Sequence, residues 1–183
     1  MLGLRRPLRR KQFLALAVAS TVVLMTGYIM LLNHEEHLME AYYHNLRQTE
    51  PELYLSKIMH ARGFRKFIDE YLTIHDYSHP ITTVPPFLIG RWVLFDSSKH
   101  VSDDFIPDSC LSGVEIEDGR VKFFGTKPAE HAARYTMTGN TITAHMDDGS
   151  ATEIDVIGYG SRLHHIEIKN QGSDQVQYGY MCR

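Results

Sequence analysis

The sequence has little cysteine and none of the short motifs that mark common enzymes. It contains no Gly-x-Ser-x-Gly, no P-loop, no Gly-x-Gly-x-x-Gly and no His-Glu-x-x-His. These patterns are typical of acyl transfer, phosphate binding, dinucleotide binding and zinc-dependent hydrolysis. A Cys-x-x-Cys redox motif is also missing. We therefore expect a protein that is not an enzyme, with no cofactor and no metal site.

Acidic residues are missing from the first 34 residues of the chain. Five of the 19 basic residues precede residue 12, whereas the first acidic residue is Glu35. The other 14 basic residues and the 22 acidic ones give the rest of the chain a charge of about −8. Such an acidic body disfavours direct binding to nucleic acid, which needs clustered cations. The length of 183 residues fits one modest domain plus attachments.

Residues 13–32 form a hydrophobic run of 20 residues that no charge interrupts. At about 1.5 Å per residue, a helix of this length spans the ~30 Å hydrocarbon core of a bilayer. The cations before the run place the N-terminus in the cytoplasm. Cleavage as a signal peptide after Ala19 is the alternative, but the apolar run continues to Leu32. We predict a cytoplasmic tail at 1–12 and an uncleaved anchor at 13–33, single-pass in the bacterial inner membrane.

The two cysteines, Cys110 and Cys182, both lie on the exported side of this anchor. The periplasm oxidises thiols, so we predict that they form a disulfide. The bond would close a loop of about 72 residues and contribute about 4 kcal/mol on the chain-entropy model. Two unpaired buried thiols are the alternative interpretation.

The exported part changes its hydrophobic period along the chain. Residues 34–77 show helical spacing, with Gly63 as a break, and a Pro-rich linker from His75 to Pro86 ends the helical region. From Phe87 onward, apolar and polar residues alternate, which is a hydrophobic period of two. Around the turn signal Asp118-Gly119, one face of the hairpin carries ion pairs and the other is apolar. The same analysis of the whole region predicts about eight short strands, at 88–95, 114–118, 120–125, 133–138, 141–146, 152–158, 163–169 and 175–182.

A sheet built from sequential hairpins with one apolar face must close into a barrel or be covered by another element. We therefore predict a mainly β fold, in which residues 87–183 form an eight-stranded antiparallel up-and-down barrel. A helical stem and linker at 34–86 and the transmembrane helix precede it.

The hairpin near Gly160 admits two turns. A two-residue turn at Gly160-Ser161 pairs Val156 with His165, which spoils the apolar face. A three-residue loop that includes Arg162 pairs Val156 with Ile166 and keeps that face apolar. We choose the three-residue loop, which predicts that His164 points into the barrel and His165 points out. An inward histidine would gain a charge on acidification and strain the barrel.

The first strand opens with Leu88-Ile89-Gly90-Arg91-Trp92, which resembles the Gly-x-Trp start of lipocalin and calycin barrels. The resemblance implies that Trp92 closes one end of the barrel. A barrel of eight strands is either filled by its side chains or holds one small apolar ligand. For the second case we predict a ligand-binding interior, formed by Trp92, Tyr135, Met137, His164, Tyr178 and Tyr180.

The layout of basic tail, single anchor, helical stem and exported barrel resembles that of ToxS- and VtrC-like bitopic partners of ToxR-type membrane transcription regulators. The resemblance implies a regulatory protein that binds and stabilises the periplasmic domain of a single-pass regulator and responds to a small apolar ligand, such as a bile salt, or to acid pH. It implies no direct contact with nucleic acid. The alternatives are a stand-alone lipocalin-like carrier of a hydrophobic ligand and an envelope assembly factor.

The anchor hypothesis predicts that the mature protein retains residues 13–32. A reporter that is active only in the periplasm should therefore be active when it is fused after Arg183. N-terminal sequencing of the membrane-bound protein checks the prediction. Recovery of a soluble periplasmic protein that begins at Ser20 would contradict it.

Overall fold

The structure is a computed structural model that describes residues 10–96, 105, 107, 109–126, 128–170 and 175–182. The chain divides into two compact units, Met1–Glu50 and Pro51–Arg183. Residues 1–9 of the predicted cytoplasmic tail lie outside the described residues.

The first unit consists of helix α1, Arg10–Thr49. It contains the whole predicted anchor, and its apolar side chains from Phe13 to Leu32 are exposed. The helix is long and apolar enough to cross a membrane, a property shared by anchors and signal sequences. With the disulfide described below, it indicates that the second unit is an extracytoplasmic domain.

Two short helices open the second unit. Helix α2 spans Pro51–Arg62 and helix α3 spans Phe64–Ile74. Gly63 separates them with φ of +86°, a left-handed conformation that favours glycine. The predicted break at Gly63 is therefore confirmed. A 3₁₀ turn at Pro86–Leu88 follows and leads into the first strand.

Eight antiparallel strands form a closed barrel in sequence order, with the last strand paired to the first. This confirms the predicted fold class. The strands are β1 (Gly90–Phe95), β2 (Gly113–Glu117), β3 (Arg120–Phe124), β4 (Ala129–Thr138), β5 (Thr141–Met146), β6 (Ala151–Tyr159), β7 (Arg162–Asn170) and β8 (Val176–Met181).

The first two predicted hairpin registers are confirmed. Glu117 faces Arg120 across the β2–β3 turn, and Val114 faces Phe123 on the opposite side of the sheet. Across the β4–β5 turn, Met137 faces Ile142. Each register places the apolar pair in the barrel and the polar pair outside, because side chains alternate along a strand.

The β6–β7 hairpin differs from its prediction in one respect. Val156 does face Ile166, as predicted, but Tyr159 pairs with Arg162, so the three-residue loop is wrong. The turn is the two-residue Gly160-Ser161, and a β-bulge between Ile157 and Gly158 on β6 restores the apolar register. The extra residue opposite that step is His164, which has no partner on β6 in the pairing.

Helix α3 packs against the barrel through its aromatic face. The Phe64 N–H donates to the Gly160 carbonyl at 2.7 Å. Phe87 makes edge-on ring contacts with Phe64, Phe67 and Tyr71, at centroid distances of 5.4 to 5.9 Å. Residues of the predicted stem thus belong to the same compact unit as the barrel.

The segment before β1 is bonded to the ends of the strands. Ile81 forms an antiparallel bridge with Tyr135, and the Val84 N–H donates to the Asp118 carboxylate at 2.9 Å. Trp92 is buried and donates its indole N–H to the Leu88 carbonyl at 3.0 Å. These bonds satisfy backbone groups that the turns leave unpaired.

Cys110 and Cys182 form the predicted disulfide, with their Cα atoms 6.1 Å apart. Cys182 directly follows β8, and its N–H donates to the Arg91 carbonyl at 2.7 Å. The bond therefore ties the connection between β1 and β2 to the C-terminal strand.

The contact of α3 with the barrel predicts a coupled pair of substitutions. A Cβ on Gly158 would lie 2.7 Å from the Cβ of Phe64, so Gly158→Ala should lower the free energy of unfolding by about 1–3 kcal/mol through overpacking. Phe64→Ala should cost about 3–5 kcal/mol through the cavity it leaves.

The two changes act on one contact, so the double variant should be less destabilised than the sum of the single ones. Urea unfolding of the three variants in parallel measures this coupling. Strict additivity would show that α3 does not pack on Gly158.

Candidate functional site

Three of the six predicted interior residues lie inside the barrel. Trp92, Tyr135 and Met137 are buried, with at most 5% of their surface exposed. The Tyr135 hydroxyl lies 2.8 Å from the Glu117 carbonyl and 2.9 Å from the Arg120 carbonyl. Burial raises the pKa of this phenol, so it stays neutral and acts as a donor.

Tyr178 and Tyr180 lie on the outer face of the wall, whereas the sequence analysis placed them inside. Their strand pairs so that Gly179 faces Ile166, a buried interior residue. A Cβ on Gly179 would meet the side chains of Ile166 and Leu94, which shows that position 179 points inward. Because side chains alternate, Tyr178 and Tyr180 point outward.

His164 is also on the outer side, whereas the sequence predicted that it points inward. The bulge in the β6–β7 pairing changes the alternation at this residue. Its ring lies 4.9 Å from that of Tyr159, 4.9 Å from that of His165 and 5.9 Å from that of Tyr180. The structure therefore brings three of the predicted site residues together, but on the outside of the barrel.

The outer residues form what we call the histidine–tyrosine cluster: His164, His165, Tyr178 and Tyr180. The Nδ1 atoms of the two histidines are 2.7 Å apart, within hydrogen-bond distance. The His165 ring stacks on that of Tyr180 at 5.7 Å, with an interplanar angle of 20°. His165 is only 2% exposed although it points away from the interior.

Phe105 covers part of this cluster from the connection between β1 and β2. Its ring lies edge-on to Tyr180 at 4.8 Å and to Phe95 at 5.3 Å. Cys110 belongs to the same connection and is bonded to Cys182, two residues beyond Tyr180. The disulfide thus holds the chain that carries Phe105 near the cluster.

The short distance between the histidines limits their protonation. One Nδ1 must donate and the other must accept for the hydrogen bond to form. When both rings are charged, each Nδ1 carries a proton, and the bond is lost. Two neighbouring cations also repel each other in a poorly solvated site.

The pKa of His165 is accordingly lowered from its ordinary value of 6.5. Burial is the largest cause, and the neighbouring His164 adds to it. The Glu167 carboxylate, 3.6 Å from His165 Nε2, opposes the shift. Among the described residues, no further charged side chain is a cause of this shift in pKa.

This direction determines how stability depends on pH. The unfolded chain binds a proton on His165 near the ordinary pKa, whereas the folded chain binds it only at lower pH. The folded state therefore has its full stability above about pH 6.5 and loses stability as the pH falls towards the folded pKa.

Two other described histidines on the barrel lie outside this cluster. His131 lies 3.4 Å from Asp147 and 3.6 Å from Asp148, and His145 is exposed beside Thr136. Within the part of the chain that the structure describes, no three His, Cys, Asp or Glu side chains are placed to hold a metal ion.

The sequence analysis missed His165 and Phe105. A signal for His165 was present, because the two-residue turn at Gly160-Ser161 and the apolar register could both be kept by one bulge. Nothing in the periodicity of the strands could locate Phe105, which belongs to no strand.

Comparisons of this chain with protein-family models, with curated proteins and with solved structures found no match.

The buried histidine predicts a specific change in acid stability. His165→Phe keeps a ring against Tyr180 but removes the group that takes up a proton. From pH 7.5 to pH 5.5 the melting temperature of this variant should fall clearly less than that of the unchanged protein.

His145→Gln is the matched control, because His145 is exposed on β5, two strands away from β7, and its replacement should leave the acid-induced fall unchanged. Differential scanning fluorimetry across this pH range makes the comparison. An equal fall in the His165→Phe variant and the unchanged protein would show that His165 is not the group responsible.

Proposed function

We propose that this protein is a membrane-anchored regulatory partner that senses acid pH and binds the exported domain of a ToxR-like, single-pass transcription regulator. Its N-terminus lies in the cytoplasm and its barrel in the periplasm of a bacterium. The observation that carries the sensory part is the His164–His165 pair on the outer wall, in which the Nδ1 atoms are 2.7 Å apart and His165 is buried. The partner is suggested by the layout of tail, anchor and exported barrel.

The closed barrel supports contact through its outer wall. Every strand from β1 to β8 is paired on both sides, so the barrel offers no edge strand for pairing with another chain. A partner would therefore contact outward side chains. The histidine–tyrosine cluster is a titratable part of that surface.

Acidification would act on the partner contact through the same cluster. The second proton breaks the hydrogen bond between the rings and charges a site that burial keeps neutral. The rings must then separate, or be stabilised by counter-charge from Glu167 or from a bound protein. Either response changes the free-energy difference between the free barrel and its complex, and thus couples pH to binding.

The test is to co-express the full-length protein with a single-pass transcription regulator, sought first among the products of neighbouring genes. We expect the two proteins to co-purify from membranes, and the regulator to be degraded faster when this protein is absent. We also expect the strength of the complex to change between pH 7.5 and pH 5.5. In the His165→Phe variant the complex should form but should lose this pH dependence.

His145→Gln again serves as the control and should keep the pH dependence. A monomer that binds a hydrophobic ligand and no membrane protein would instead favour the carrier function. A complex with the same pH dependence in the His165→Phe variant would contradict the sensory role of the cluster.

A further inference from the structure

A cleft of about 460 Å³ opens on the outer wall beside the histidine–tyrosine cluster. The turn between β6 and β7 forms one side of it, and Phe105 and Tyr180 form another. Its volume is within the range of small-molecule sites, which is about 300–1,000 Å³. This cleft is separate from the barrel interior, where the sequence analysis expected a ligand.

Aromatic rings line the cleft on several sides. Tyr159 and His164 meet edge-to-face at 4.9 Å, with an angle of 70° between the rings. Phe105 and Tyr180 meet similarly at 4.8 Å and 67°. A flat ring that enters the cleft can therefore stack on one of these rings while its edge contacts another.

Among the described residues that line the cleft, the fixed charge is positive. Arg162, at the first position of β7, is the one permanently charged side chain among its described lining residues. His164 also lines the cleft and can add a positive charge but never a negative one. Glu167, the nearby carboxylate, contacts His165 and does not line the cleft.

Two other clefts lack this combination. The cleft of about 360 Å³ between α3 and β6 is lined by both Arg65 and Asp69, so its charges offset each other. A third cleft, of about 460 Å³ beside β1, has no charged side chain among its described lining residues.

We infer that the cleft at Arg162 binds a planar aromatic carboxylate. The ring stacks against the aromatic walls, and the carboxylate accepts hydrogen bonds from the Arg162 guanidinium, whose planar donors match a carboxylate. A carboxylate bound at this site would be a second signal for the protein, in addition to acid pH. The inference concerns the protein alone and does not depend on the regulator.

The test uses the full-length protein in lipid nanodiscs at pH 7.5, with 2-naphthoate as the probe and empty nanodiscs as the blank. Isothermal titration calorimetry should detect binding at one site. The neutral analogue 2-naphthalenemethanol has the same ring system without the charge, and it should bind at least about tenfold more weakly, because charge-assisted hydrogen bonds are the stronger ones.

Three variants locate the site. Arg162→Gln should weaken 2-naphthoate binding about tenfold, whereas Arg162→Lys keeps the charge and should retain part of the affinity. Arg134→Gln removes an equal charge from the exposed face of β4 and should leave the affinity unchanged, since Arg134 does not line the cleft. Circular dichroism of each variant verifies the fold.

Three results would overturn the inference. They are the absence of binding, equal binding of the neutral analogue, and loss of binding in Arg134→Gln with retention in Arg162→Gln. The last result would place the ligand outside the cleft at Arg162. None of these measurements includes the regulator, so a failure here is distinguishable from a failure of the proposed partner function.

Discussion

The bulge at His164 places this histidine on the outer face of the barrel, beside His165. It is needed because a regular hairpin cannot satisfy the turn and the barrel interior at the same time. The turn at Gly160-Ser161 pairs Tyr159 with Arg162, while the interior requires Val156 to face Ile166. One unpaired residue reconciles them, and it turns His164 to the same side as His165. The hydrogen bond between the two rings, the lowered pKa of His165 and the aromatic cleft all depend on this displacement.

Burial of a polar group on the outer wall of a barrel needs a cover. Here the cover comes from Tyr180 on the neighbouring strand and from Phe105, whose chain segment the Cys110–Cys182 bond connects to the end of β8. A disulfide that closes so long a loop restricts mainly the unfolded chain. In this protein it also lies two residues beyond Tyr180, whose ring contacts both Phe105 and His165. The same covalent bond thus joins the end of the barrel to the chain segment next to the cluster.

Much of the barrel was predictable because strong local signals coincide. At Asp118-Gly119 the turn, the ion pairs and the apolar pairs all require one register, and the structure has it. Which side chains of β8 point into the barrel was not predictable in this way. Tyr178 and Tyr180 were assigned inward because they are large and aromatic, yet the inward position belongs to Gly179, where Ile166 leaves no room for a side chain. The packing of α3 on Gly158 likewise depends on a long-range contact that no local pattern encodes.

The central claim is that His165 is held neutral by burial and by its neighbour, and the pKa of His165 tests it most directly. In the full-length protein in nanodiscs, selectively labelled histidine allows each ring to be titrated by NMR, with the His165→Phe variant assigning the His165 signal. The account predicts a pKa for His165 below the ordinary 6.5. A pKa at or above 6.5 would contradict it.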